Sequence, residues 1–251
     1  MVTIAVAGKG GTGKTTFSAL LVQLLAARGT VLAIDADPST NLNMALGVSV
    51  EATVGDAREE MATAVRGGSF GVGVDKRSYL ETRIAESLVE SRGFDLLAMG
   101  RPEGPGCYCA ANNMLRASID HLAKSYDYVV IDNEAGLEHL SRQMTRDVDA
   151  LLLVTDPTLR GLVAAARARD IARDLKSGVE RVGLVVNRVR SELSPEVRAA
   201  IADHGLDLWA TIADDPLVAD LDGHGRPVVE LPSDSAIRTA VESAARKAGI
   251  I

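Results

Sequence analysis

The chain has 251 residues, of which 47% are hydrophobic, 24% charged and only 3% aromatic. That is apolar material for a substantial core, of a size that suits one α/β domain running from 1 to 251 without a linker. A net charge of −7 at neutral pH argues against a nucleic-acid partner, which calls for clustered Lys and Arg, and the arginines here are interleaved with acids, as between Arg167 and Lys176.

From the N-terminus, Thr3 to Ala7 reads as a buried strand and is followed by Gly8-Lys9-Gly10-Gly11-Thr12-Gly13-Lys14-Thr15-Thr16. These nine residues fill every fixed position of a phosphate-binding loop. Glycines let backbone N–H groups turn inward around a polyphosphate, and the helix that follows offers its positive end to the same anion. Lys14 is expected to reach the β- and γ-phosphates and the Thr15 hydroxyl to ligate magnesium. Phe17, Leu20, Leu21, Leu24 and Leu25 form one helical stripe that stops at Gly29, which completes the strand, loop and helix context.

Short apolar runs then alternate with amphipathic stretches: Val31 to Ile34, Leu96 to Met99, Tyr128 to Ile131, Leu151 to Val154, Val182 to Val186 and Leu208 to Ile212. This rhythm predicts a mostly parallel, doubly wound sheet flanked by helices. Several runs end in polar groups, namely Asp35 and Asp37, Asp132, Asp156 and Asn187. Ligands of open α/β sheets sit at the carboxyl ends of strands, so convergence on one site is expected, with Asp156 before Pro157 read as a turn residue. Between Gly47 and Gly93, Leu80, Ile84 and Leu88 suggest one helix, and nothing there has a legible function. No apolar run approaches the roughly 20 residues that span a bilayer, and no charged leader precedes the first strand, so a cytoplasmic location without membrane association is expected.

The loop resembles the deviant Walker A motif of the MinD, ParA and nitrogenase iron protein class of ATPases. The resemblance implies ATP hydrolysis that depends on dimerisation, with Lys9 crossing to the partner's nucleotide as an arginine finger does. By the same resemblance Asp37 positions the attacking water, Asp132 is the Walker B acid that holds magnesium through water, Ala135-Gly136 opens the second switch, and Asn187 reads the purine. Read from the residues alone, Asp37 also suits a turn or helix cap before Pro38, and Lys9 a solvated loop position. Leu231-Pro232-Ser233-Asp234 is similar to the adenine-contacting loop of the class, and equally to a plain helix cap at Ser233 or Asp234.

The only cysteines, Cys107 and Cys109, follow the Leu96 to Met99 run, ahead of a helix expected to begin near Ala111. Two thiolates do not fill four coordination positions, but two copies do, so a dimer could share one metal on its twofold axis. A disulfide within Cys-x-Cys would be strained; two ordinary buried cysteines are the plainer reading. Gly106-Cys107-Tyr108-Cys109-Ala110 together with Asp132-Asn133-Glu134-Ala135-Gly136-Leu137-Glu138-His139-Leu140 resembles the CooC/AcsF nickel-insertion accessory ATPases across nearly the whole chain. This implies ATP/ADP, Mg2+ and Ni2+ (with Zn2+ possible at the same thiolates), a homodimer dependent on nucleotide or metal, and a client that is carbon monoxide dehydrogenase or acetyl-CoA synthase. Glu138 and His139 are read either as relays of switch motion or as exposed helix residues. The rivals are an electron donor with an interface iron-sulfur cluster and a MinD/ParA-like positioning ATPase. Against the second stands the small, packing-type stripe Ile237, Val241, Ala244, Ala245 and Ala248, which lacks the bulky apolar and basic residues of a membrane anchor.

Overall fold

The computed structural model describes residues 1–67, 75–101, 109–134, 148–174 and 178–251. The strands are β1 (Val2–Gly8), β2 (Val31–Asp35), β3 (Val89–Glu90), β4 (Phe94–Ala98), β5 (Tyr128–Asp132), β6 (Ala150–Thr155), β7 (Arg181–Val189) and β8 (Leu208–Ala213). They form one sheet in the order β3-β4-β2-β5-β1-β6-β7-β8, parallel throughout except where β3 pairs antiparallel with β4. Every apolar run read from the sequence falls on a strand, the run Leu96 to Met99 passing the end of β4 by one residue. Aliphatic residues in unbroken series suit positions covered on both faces, and β6 is buried along its whole length. The hairpin that makes β3 turns at Gly93 (φ 88°), and two residues are too few to leave a pattern.

The helices are α1 (Lys14–Ala26), α2 (Leu42–Leu46), α3 (Val54–Arg66), α4 (Lys76–Glu86), α5 (Cys109–Ala123), α6 (Leu159–Asp174), α7 (Pro195–Asp203), α8 (Pro216–Gly223) and α9 (Ala236–Lys247). Alternate residues of β1 feed opposite faces of the sheet. Ile4 and Val6 pack with α1, α2 and α9, whereas Ala5 and Ala7 pack with α6 and α7. Helices α3, α4 and α5 cover β2, β4 and β5 on that second face. The expected stripe of α1 is realised: Phe17, Leu20, Leu21 and Leu25 are at most 1% exposed, each such burial stabilising by about 1.5–3 kcal/mol. The α9 stripe is consumed in the same core, with Ile237, Val241, Ala244, Ala245 and Ala248 all buried. Among the described residues no helix is long and apolar enough to cross a membrane.

Three expectations are corrected. Leu80 and Ile84 do lie on a helix, but α4 ends at Glu86 and Leu88 packs from the segment beyond it. The region before it holds a further helix, α3, announced by a reciprocal cap in which the Thr53 side chain accepts from the Asp56 N–H and the Asp56 carboxylate accepts from the Thr53 N–H. The helix after β4 starts at Cys109, ahead of Ala111.

The β7–β8 pairing is irregular. Leu184 faces Leu208 and Val185 faces Ala210, so Trp209 is an extra residue on β8. Its indole lies flat against Gly183, where a Cβ would come within 1.8 Å of the ring, and its Nε1–H donates to Asp207 at 2.8 Å.

Candidate functional site

The turn from β1 into α1 is held by its own side chains. Gly13, at φ 89°, is the N-cap of α1, a left-handed conformation that costs a residue with a Cβ about 1–2 kcal/mol. Its carbonyl accepts the Phe17 N–H at 3.0 Å. Thr12, 2% exposed, donates through Oγ1 to the Lys9 carbonyl at 2.9 Å, and the Lys14 ammonium donates to the same carbonyl at 3.3 Å. The Lys9 residue itself is exposed, so its main chain anchors the loop while its side chain is free of that task. With no acidic residue in the first turn of α1, the positive end of the helix faces the loop unneutralised.

Beneath the loop lie two carboxylates that the sheet brings together. Asp35 on β2 and Asp132 on β5 are direct register partners, 0% and 1% exposed. Burial, chiefly, pushes the Asp132 carboxyl up to about 7, against the pull of hydrogen bonds from Thr15 and Ser18. The Ser18 hydroxyl donates to Asp132 Oδ1 at 2.9 Å. Burial also raises Asp35, opposed by the Leu42 and Asp37 N–H groups that its oxygens accept at 2.9 and 3.1 Å. Lys14 is lowered by burial, and the nearby charges of Asp132, Asp37 and Glu134 act to raise it again. Of the strand-end acids expected to meet at one site, Asp35 and Asp132 pair in register, and the charges of Asp132 and Asp37 act on Lys14. Asp37 accepts the Ser39 N–H at 2.8 Å, a turn closed by its own side chain, whereas Asp35 rather than Asp37 receives the N-terminal N–H of α2.

On the other side of the loop, the Asn187 side chain donates through Nδ2 to the Thr12 carbonyl at 2.8 Å and accepts the Arg188 N–H at 2.8 Å. Arg188 has a φ of 58°. Beside them opens a cavity of about 430 Å³ whose walls include Gly13, Thr16, Asn187, Arg188, Asp214 and Ile237. A second cavity of about 220 Å³, between Thr15, Thr16, Met44 and Arg226, shares Val218 and Asp222 of α8 with the first.

Asp156 stands apart from this group. It accepts the Thr158 hydroxyl at 2.5 Å, and Thr158 in turn accepts the Gly161 N–H at 3.0 Å, which makes the turn into α6. The helix-cap alternative at Ser233 or Asp234 is corrected: α9 is preceded by Ser235 as N-cap, without a side-chain capping bond, and the Ser235 N–H donates to the Pro232 carbonyl at 3.1 Å, closing a turn over Ser233 and Asp234. Cys107 lies outside the described residues and Cys109 begins α5. Ala135, Gly136, Glu138 and His139 also lie outside the described residues. Among those described, no group of three or more His, Cys, Asp or Glu side chains is arranged to hold a metal ion.

Sequence reasoning passed over Ser18 and named Asp35 only as one of the strand-end groups, without a role. Ser18 is 0% exposed, directly after Phe17 in an otherwise apolar helical face, and a buried hydroxyl among aliphatics needs a partner. That was the available signal.

Residues 3–228 match the model of the CobQ/CobB/MinD/ParA nucleotide binding domain. An uncharacterized ATP-binding protein of Methanocaldococcus jannaschii is 44% identical over 245 residues, covering 97% of each chain. The carbon monoxide dehydrogenase accessory protein CooC of Rhodospirillum rubrum is 33% identical over 245 residues, covering 91% of this chain and 89% of CooC. Among solved structures, the septum site-determining protein MinD of Pyrococcus horikoshii, complexed with Mg-ADP, superposes with a TM-score of 0.70 at 25% identity, over 98% of this chain and 95% of that one. With that family match over residues 3–228 and those relatives along nearly its whole length, the chain belongs to the CobQ/CobB/MinD/ParA nucleotide-binding family and is a P-loop ATPase of the MinD/ParA type.

Proposed function

We propose that this ATPase is a metallochaperone that acts as a homodimer, holds nickel on Cys107 and Cys109, and assists nickel insertion into carbon monoxide dehydrogenase or acetyl-CoA synthase. The observation that carries this reading is the 33% identity with CooC across 91% of the chain. A Cys-x-Cys pair at the junction of β4 and α5 in the same chain supplies the soft donors that a nickel cargo requires. Each chain offers two thiolates and a pair of chains offers four, so metal affinity becomes a property of the dimer.

The nucleotide chemistry follows from the loop. Gly8, Gly10, Gly11, Thr12 and Gly13 present backbone N–H groups to the phosphates, with Lys14, Thr15 and Thr16 completing the cradle. Asn187, on the wall of the cavity of about 430 Å³, reads the purine. Thr15 and Asp132 suit magnesium because they are hard oxygen donors already hydrogen-bonded to each other, Asp132 acting through a water. When bound, the ion neutralises charge on the transferred phosphoryl group. Lys9 of each protomer reaches the partner's phosphates, and Asp37 orients the attacking water. Closure of the dimer on ATP brings the cysteine pairs together, and hydrolysis loosens them for transfer to the client.

Metal analysis combined with solution mass measurement, on nucleotide-free, ADP-bound and ATP-bound protein, tests the proposal. Expected is a doubling of mass with ATP and one metal per two chains, with the metal lost in the Cys107→Ser/Cys109→Ser double variant and ATP binding retained. A double variant that keeps its metal overturns the assignment. Iron-sulfur absorption from anaerobically purified protein would replace it with an electron-transfer role.

A further inference from the structure

Asp35 is fully buried, yet the assignments above give it no task. Its carboxylate bridges the two ends of the segment that carries Asp37: Oδ1 accepts the Asp37 N–H at 3.1 Å, and Oδ2 accepts the Leu42 N–H at 2.9 Å at the start of α2, where the Asn41 N–H also donates to the carboxylate. Between these points the chain is closed further, for the Asp37 carbonyl accepts the Thr40 N–H at 3.0 Å and Thr40 sits at φ 50°. Both anchors are firm. Leu42 is 0% exposed in the core that α2 shares with α1, and the residue after Asp35 remains tied to the sheet through the Ala36 N–H to Asp132 carbonyl bond of 2.9 Å.

A helix cap alone does not explain an acid here. Serine or asparagine caps a helix about as well as aspartate does, without the expense of burying a carboxylate. What neither neutral side chain provides is two acceptor oxygens on one short side chain, each aimed at a different backbone N–H. We infer that Asp35 is a positioning residue for ATP hydrolysis, whose two oxygens lock the Asp37 main chain to the start of α2 and so fix where the Asp37 carboxylate stands. This inference rests on the reading of Asp37 as the residue that orients water.

Steady-state hydrolysis by Asp35→Asn, beside Asp37→Ala, tests it on the full chain. Asparagine keeps one acceptor and turns an NH2 group toward the other N–H, releasing one anchor. The expected result is a kcat reduced roughly ten- to hundredfold, as for a reacting group displaced by about 1 Å, with KM for ATP and ADP affinity within about twofold of the parent protein. A parent-like kcat in Asp35→Asn, or a change confined to KM, overturns the inference if Asp37→Ala has abolished turnover. Turnover that survives Asp37→Ala instead removes the reading on which the inference stands, and the inference with it. Should Asp35→Asn not fold, Asp35→Ser carries the same measurement: its hydroxyl caps α2 and releases Asp37, so loss of kcat with ADP binding retained supports the inference, and an unchanged kcat overturns it.

Discussion

Gly13 and Asn187 are coupled by contact, and the coupling can be measured. A Cβ on Gly13 would lie 2.3 Å from Asn187 Nδ2, the atom that donates to the Thr12 carbonyl at 2.8 Å. In Gly13→Ala the residue must hold φ near 89°, at about 1–2 kcal/mol, and it must also evict the Asn187 amide, which forfeits a hydrogen bond of about 1 kcal/mol. The single variant is therefore expected to lose about 2–3 kcal/mol. Asn187→Ala forfeits the same hydrogen bond, about 1 kcal/mol, while opening the space that the new methyl needs. The double variant loses that bond only once and relieves the clash, so its destabilisation should fall short of the sum by about 1 kcal/mol or more. Urea unfolding of nucleotide-free protein reads all four corners of the cycle, with Trp209, the single tryptophan and only 4% exposed, as the fluorescent reporter. Additivity within about 0.3 kcal/mol would show that the methyl group and Asn187 do not compete for one space.

The raised Asp132 gives a pH dependence of definite sign. Between its ordinary value near 3.8 and about 7 the native state binds a proton that the unfolded chain has lost, so stability falls as pH rises through that window and levels off above it. The contribution is roughly 4 kcal/mol at most. Melting of magnesium-free protein between pH 5 and 8 should show this decline, and Asp132→Asn, which keeps an acceptor for Ser18, should flatten it; equal slopes in the two proteins would refute the assignment. Lys9→Ala should abolish turnover while ADP affinity changes by less than about threefold, because Thr12 and Lys14 hold the Lys9 carbonyl and not its side chain. Titration with ADP and a steady-state assay separate these effects, and a variant that still turns over ATP refutes the role given to Lys9.

Much of this site was legible because its signals are local. Gly8 to Thr16 is a contiguous pattern, and the strands announce themselves as apolar runs whose faces are both covered. The encounter of Asp35 with Asp132 was not legible. It depends on β2 lying beside β5 in one register, which residues nearly a hundred positions apart do not reveal. Polar residues at the ends of apolar runs indicated only that a site lay there. Asp156, read from the sequence as a turn residue before Pro157, does close a turn, whereas the charges of Asp37 and Asp132 act on Lys14. Ahead of α9 the sequence suggested a cap at Ser233 or Asp234, whereas the chain turns after Pro232 and sets Ser235 at that position. Helix α3 carried a readable cap at Thr53 and Asp56, but its largely polar composition hid the buried Val54, Ala57 and Met61 beneath it.

The indole of Trp209 against Gly183 has a consequence well beyond the core. Strand β8 is an edge strand whose ladder to β7 is broken at two points, so backbone pairing by itself tolerates more than one alignment. Only one alignment seats the aromatic plate over the sole kind of residue with no side chain to obstruct it. Asp214, the first residue past β8, thus takes its station at the mouth of the chamber beside Asn187 from a lock-and-key fit made at the opposite end of the same strand. Here shape selects what pairing leaves ambiguous, and a methyl group added to Gly183 would misplace the chamber wall without touching it.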